Sequence, residues 1–124
     1  AGDGLPVVPV GCTVRECLTA ARAVAGRRRA GAILLVDAEG RLAGVFTDGD
    51  LRRLVVDDPA PLDRPVAEVM TASPMHLDAT ALVRDAERLV REHRVDEIPV
   101  VDADGRPIGL VDVQDLITMK VVRE

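Results

Sequence analysis

Aromatic residues are almost missing from this 124-residue chain: there is no Trp, no Tyr and a single Phe, Phe46. Such a chain lacks stacking platforms for unpaired bases, and its net charge of −5 argues against a general polyanion binder. No nucleic-acid partner is expected. Long apolar runs are absent too; the longest reach about five to six residues, far short of a membrane-spanning helix, so no membrane partner is expected either. No charged segment leading into an apolar one opens the chain, which gives no secretion signal and an expected cytoplasmic setting. The opening AGDG reads as linker, and the chain reads as part of a longer protein.

Metal and redox chemistry find little support. Cys12 and Cys17 are the only cysteines. They form no CxxC pair; five positions apart at the start of a predicted helix, they are expected to face different ways and to stay unbridged. His76 and His93 lack a third ligand at metal-like spacing. No metal and no required cofactor are expected. What the chain does have is 48% hydrophobic residues. With so few aromatics, the core must be built from Val, Leu, Ile and Ala, which suits short strands packed on helices in one compact domain or two small ones sharing a core.

Self-similarity decides the organisation. GAILLVDAEGRLAGVFTDGDL, residues 31–51, aligns without a gap on DEIPVVDADGRPIGLVDVQDL, residues 96–116. Asp37 falls on Asp102, Gly40 on Gly105, Arg41 on Arg106, Gly44 on Gly109 and Asp50 on Asp115, each 65 positions on (102 − 37). A 65-residue period is too long for a solenoid unit, and two copies imply a pseudo-symmetric pair. Each copy predicts a short strand (7–10; 75–77), then an amphipathic helix. The apolar stripes are Val14, Cys17, Leu18, Ala21 and Val24 in the first copy and Leu82, Ala86, Leu89 and Val90 in the second. Buried strands at 33–36 and 98–101 follow, then turns at DAEG and DADG, return strands at 42–46 and 108–111, and final helices starting near Asp48 and Val113. DADGR is a turn and not a calcium loop, because Gly105 comes at the fourth position and no Glu follows at the twelfth. The predicted units are residues 1–57, a proline-rich connector 58–68 with a helical turn at 66–70, and residues 69–124.

The segment with most chemical content is Gly44-Val45-Phe46-Thr47-Asp48-Gly49-Asp50. Thr47 and Asp50 have the spacing of a capping box, as do Thr13 and Glu16. A helix start also favours an anion such as phosphate. There the Thr47 hydroxyl can donate to phosphate oxygen, Gly49 keeps the approach open, and the Asp50 carboxylate can accept from the hydroxyls of a ribose. Arg52 and Arg53 follow; they read as a solvated helix face or as cations for a ligand phosphate. Asp48 and Asp50 as an acid pair lack a nucleophile, base or metal, so no catalytic residue is assigned.

The doubled β-α-β-β-α pattern, with PVVD, a Gly turn and a Gly-hydrophobic-hydrophobic-Thr-x-x-Asp element, resembles the cystathionine-β-synthase-type (CBS) repeat over nearly the whole chain. GVFTDGDLRR, residues 44–53, resembles the first CBS repeat of bacterial arabinose-5-phosphate isomerases, in which a sugar-isomerase (SIS) domain precedes the CBS pair. The resemblance implies an α/β fold of tandem CBS repeats packed about a pseudo-two-fold. It implies no enzyme in this segment, but a nucleotide-sensing module attached to an aldose–ketose isomerase. AMP, ADP, ATP or a CMP-type sugar nucleotide would lie in the cleft between repeats. The ligand-binding residues it carries over are Thr47, Asp48, Gly49, Asp50 and Arg53, with Asp115 from the second copy and Thr71 beside the base. CBS pairs commonly form disc-like dimers, so a homodimer is implied; the competing expectations are a purely structural, dimer-forming module and a regulatory pair on a different parent, such as a transporter, channel or dehydrogenase. The second copy departs from the pattern by placing Asp112 where the first has Thr47 (112 − 47 is again 65). Asp caps a helix as well as Thr does but repels phosphate, so only the first site is expected to be competent.

Overall fold

A computed structural model of the chain describes residues 5–25, 31–80, 83–93 and 97–112. In order, the elements are β1 (Val7–Pro9), α1 (Val14–Ala25), β2 (Ala32–Val36), β3 (Leu42–Thr47), α2 (Asp48–Asp57), a 3-10 turn (Pro61–Asp63), α3 (Val66–Val69), β4 (Thr71–Ala72), β5 (Leu77–Asp78), α4 (Val83–His93), β6 (Glu97–Val101) and β7 (Pro107–Asp112). Among the described residues the strands make a four-stranded sheet in the order β1-β2-β3-β4 and a three-stranded sheet in the order β5-β6-β7. In each, the strand before the helix runs parallel to the strand after it, and a hairpin returns antiparallel. This is the mixed α/β pair that the repeat predicts.

The hairpin turns show why the aligned residues recur. Asp37 Oδ1 accepts from the amides of Glu39 and Arg41, and Asp102 Oδ1 accepts from those of Asp104 and Arg106. Gly40 and Gly105 sit at φ 81° and 84°, the left-handed region that a residue with a Cβ enters only with strain. A register shift then falls between Leu35 and Val36 in one hairpin and between Val100 and Val101 in the other.

Each sheet has two apolar faces. In the first repeat, Val8, Leu35 and Phe46 are buried with Val14, Cys17 and Ala21 of α1. Alternation sends Val7, Leu34 and Val45 to the opposite face, where, with Leu42, they pack in a cluster that also holds Leu110 of β7. Ala43 is skipped in the pairing, which is how Leu42 joins that face. The second repeat puts Ile98 and Val100 with Leu77 and Leu89 on its helix side, leaving Pro99 and Leu110, which pair across β6 and β7, on the side of the first repeat. The repeats therefore meet sheet to sheet.

The turns cross between the repeats. Leu42 N–H donates to the Gly105 carbonyl at 2.9 Å, and Arg106 Nε–H donates to the Glu39 carbonyl at 3.1 Å. The connector belongs to the first repeat: Val66 is fully buried in its core, Val14 N–H donates to Arg64 O, and Val66 N–H donates to Cys12 O. Arg64 also ties this segment down, pairing with Asp58 at 2.6 Å and Glu68 at 3.1 Å.

Three expectations need correction. The strand placed at 75–77 lies at Leu77–Asp78. A strand not anticipated, Thr71–Ala72, pairs with β3. Cys12 and Cys17 do not diverge; Cys12 precedes the Thr13 cap and Cys17 is four residues past it. These are the two positions of a hydrophobic staple, and both thiols are free and share one cluster. The helix expected from Val113 lies outside the described residues. No helix among the described residues is long and apolar enough to cross a membrane.

Candidate functional site

Strand β3 delivers its last residue, Thr47, directly into α2. Thr47 is extended (φ −105°, ψ 166°) and caps the helix. Its Oγ1 accepts from the Asp50 amide at 3.1 Å, and Asp50 Oδ2 accepts from the Thr47 amide at 3.0 Å. The capping box is therefore real, and the same reciprocal pair closes between Thr13 and Glu16 at α1. Asp48 N–H donates to Gly31 O at 2.9 Å, which locks the helix start to the entrance of β2.

The cap leaves a specific set of atoms for other work. The Thr47 hydroxyl accepts in the cap, so its proton is available to donate. Asp50 uses Oδ2 in the cap, and among the described residues its Oδ1 is held by Arg53 Nη2 alone, at 2.6 Å. Asp50 is nearly covered (12% exposed) while Arg53 is 71% exposed. The Arg53 guanidinium folds back over Gly49: a side-chain carbon at residue 49 would lie 3.4 Å from Arg53 Nη1 and 3.7 Å from Thr47 Oγ1. A donor hydroxyl, a fixed carboxyl oxygen and a mobile cation thus surround a residue with no side chain.

Alternation fixes the direction. Phe46 lies on the helix face of its sheet, so Thr47 and Val45 belong to the other face, where Val45 packs with Leu110. Thr71 is exposed and pairs opposite Val45, two positions from Thr47 at the same end of the sheet. Alternation thus sets Thr47 and Thr71 on the same face of the sheet, and Gly49, Asp50 and Arg53 follow Thr47 in the first two turns of α2. Asp48 points elsewhere: a side-chain carbon at residue 31 would lie 2.9 Å from Glu97 Oε1 and 3.7 Å from Asp48 Oδ2. The Asp48 and Glu97 carboxylates therefore converge over Gly31, where first and second repeats meet. Gly31 and Glu97 were not singled out from sequence, because their approach is a contact between repeats with no local pattern. Asp115 lies outside the described residues. Position 112 ends β7 opposite Glu97, but its side chain lies outside the described residues.

Metal and thiol chemistry stay unsupported here. No group of three metal-binding side chains occurs among the described residues. His76 Nδ1 lies 3.1 Å from Pro74 O. Burial pushes the Cys17 thiol up to about 12, assisted by the neighbouring Cys12; burial likewise raises Cys12. Both remain protonated and are poor nucleophiles near neutrality.

Two β-α-β-β units mated through their sheets define a class of tandem-repeat α/β pairs. The family model for the CBS domain matches twice, over residues 3–57 and 66–121, and the chain belongs to the CBS domain family. It is 34% identical over 121 residues to the arabinose 5-phosphate isomerase KdsD of Pseudomonas aeruginosa, covering 98% of this chain and 36% of that protein. The chain thus spans about a third of the length of that relative. Among solved structures, it resembles the cytosolic domain of the Mg2+ channel MgtE in complex with ATP (TM-score 0.79, 32% identity, 94% of this chain and 45% of that one). It also resembles CBSX2 in complex with AMP (TM-score 0.77, 25% identity, 95% and 89%). The fold thus occurs with ATP and with AMP, and on parents as different as an isomerase and a channel.

Proposed function

We propose that this chain is the nucleotide-sensing part of a larger cytoplasmic protein, with repeats at 1–57 and 69–124 joined by a connector at 58–68. Its ligand is an adenine nucleotide or a CMP-type sugar nucleotide held between the repeats. The observation that carries the reading is the division of labour in the cap: Thr47 and Asp50 satisfy the helix start and still keep a hydroxyl proton and one carboxyl oxygen for a ligand. The ribose diol donates to Asp50 Oδ1, the phosphate takes the Thr47 hydroxyl and Arg53, Gly49 gives it room, and Thr71 borders the base. Asp48 is moved to the rim by its approach to Glu97. Asp115 is the equivalent of Asp50 in the second copy, where Asp112 in place of Thr47 disfavours phosphate.

Likeness to KdsD supports a sugar-phosphate isomerase as parent, with an SIS domain attached and the ligand biasing the aldose–ketose interconversion. Such control requires different ligand affinity for two states of the parent. A thermal-shift series with AMP, ADP, ATP, CMP and a CMP-sugar tests the sensing role. At 100 times its Kd a ligand adds about 2.7 kcal/mol of stability. The shift is expected for the wild type, absent in Asp50→Ala and retained in Asp115→Ala. Because Asp50→Ala also removes a cap contributing about 1 kcal/mol, the ligand-induced shift is the readout, not the baseline. No shift with any nucleotide overturns the reading.

A second reading has its own observation. Val55 and Val56 on α2 are 55% and 79% exposed, which favours a module whose role is to hold a homodimer together. Sedimentation of the wild type and Val56→Asp tests it: a dimer that the substitution splits, together with no nucleotide shift, selects this reading.

A further inference from the structure

We infer that Arg53 is the residue by which this site tells a phosphorylated nucleoside from an unphosphorylated one, and that it does so by exchanging partners. The inference rests on the nucleotide reading above and adds how the site selects. The one Asp50 oxygen left over from the cap, Oδ1, accepts from Arg53 Nη2 at 2.6 Å. That is the oxygen a ribose hydroxyl needs. A nucleoside must displace the guanidinium from a carboxylate and leave it with no new anion. A nucleotide brings its own replacement: the phosphate takes the guanidinium that the ribose has released, and charge is conserved in the exchange.

Three features of the structure make the exchange workable. Asp50 cannot follow Arg53, because its Oδ2 is bound to the Thr47 amide and its side chain is only 12% exposed. Arg53 can move, since it is 71% exposed, and exposed ion pairs are weak and easily traded. Its guanidinium already lies over Gly49, 3.4 Å from the point where a Cβ would stand, so the arc from Asp50 to the open side of the Thr47 hydroxyl crosses no side chain of residue 49. The surrounding charge adds a reason. Asp48 and Asp50 make the first turn of α2 acidic, so a phosphate needs a cation delivered to it, and Arg53 is in contact with Asp50. Arg is suited to this role because its planar fork binds carboxylate and phosphate in the same geometry.

The test is calorimetric titration of AMP and adenosine into the wild type, Arg53→Met and Arg53→Lys. Met keeps the apolar stem of residue 53 and leaves the capping box intact. In the wild type AMP is expected to bind and adenosine to bind at least about tenfold more weakly, the worth of one charge-assisted hydrogen bond. In Arg53→Met, AMP should weaken by about tenfold or more, adenosine should hold or tighten, and the preference for AMP should collapse. Arg53→Lys should restore part of it. AMP binding that is unchanged in Arg53→Met, or AMP and adenosine weakened equally, overturns the exchange while leaving the nucleotide site standing. A wild type that binds neither overturns the site itself.

Discussion

At their hairpin turns the two repeats share the amide hydrogen bonds that shape the turn. Asp37 and Asp102 each accept from amides two and four residues on, at 2.9 and 3.0 Å in both cases, and Asp37 N–H and Asp102 N–H each donate across the turn at 2.9 Å. At the next landmark they part. Residue 47 is a threonine in a reciprocal cap, and residue 112 is an aspartate. The retained half of the repeat is the half that builds the sheet-to-sheet contact; the changed half is where a ligand would be read. Duplication thus fixed a scaffold twice and let the two copies differ at residue 47 and its counterpart 112.

Packing offers the strongest way to break that comparison. Phe46 is fully buried against α1, and its counterpart 65 positions on, Val111, is half-buried. Phe46→Ala should destabilise the chain by about 3–5 kcal/mol, and Val111→Ala by roughly 1–2 kcal/mol, in urea unfolding followed by circular dichroism. Equal losses would show that the single aromatic is not the centre of the first core.

A pair of glycines sharpens it further. Gly44 and Gly109 occupy the same place in the repeat, yet a side-chain carbon at Gly44 would collide with Met70 Sδ and lie 2.9 Å from the Thr71 carbonyl. At Gly109 it would meet only Val100, at 3.7 Å. The difference is β4, the short strand that runs beside β3. Gly44→Ala should cost about 1–3 kcal/mol as an overpacked site does, while Gly109→Ala should be neutral or stabilise by up to about 1 kcal/mol. If both are tolerated, the β3–β4 pairing is not tight.

A third contrast is chemical. Cys17 aligns in sequence with Leu82 (82 − 17 is 65), a thiol in one copy against a plain hydrocarbon in the other. Burial raises the Cys17 thiol to about 12, above its ordinary value near 9. The fold therefore favours the neutral form: this contribution is fully present below about pH 9 and is lost as pH rises from 9 through 12. Stability should fall by about 1 kcal/mol by pH 10 from this group. Cys17→Ala should be less stable at pH 7 but lack that alkaline slope, measured as unfolding free energy against pH. Parallel slopes would refute the assignment.

The features legible in the sequence were the local ones. The DxxGR turns, the Thr47–Asp50 and Thr13–Glu16 caps and the apolar stripe of α1 each depend on residues within four positions of one another, and the gapless alignment repeats the turns. Two kinds of feature escaped. Strand β4 has two residues, too few to show alternation, and exists because β3 offers it an edge. Cys12 and Cys17 were read as helix positions, but Cys12 lies before the cap, where the chain doubles back over the first turn and brings position N′ onto N4. The candidate site was legible as a list of residues. Its geometry was not: that Asp50 divides its oxygens between Thr47 and Arg53, and that Asp48 leans toward Glu97, are tertiary facts with no pattern in the chain.

The smallest effect tests the one place where the turns themselves differ. A strict two-fold would answer the Leu42 N–H to Gly105 O bond with a bond from residue 107 to Gly40 O, but residue 107 is proline and has no N–H to give. The turn compensates with a side chain: Arg106 Nε–H donates to Glu39 O at 3.1 Å while its stem lies over Gly40. Arg41 lies over Gly105 in the same way, but among the described residues its side chain makes no hydrogen bond. Arg106→Ala should therefore cost about 0.5–1 kcal/mol, the exposed bond to Glu39 O with a long, exposed contact to Asp104 at 3.5 Å that adds little, and Arg41→Ala less than about 0.5 kcal/mol. The double variant should give the sum, since the two side chains act on opposite turns. Equal single losses would mean that both arginines act through packing alone and that the proline left no gap to fill.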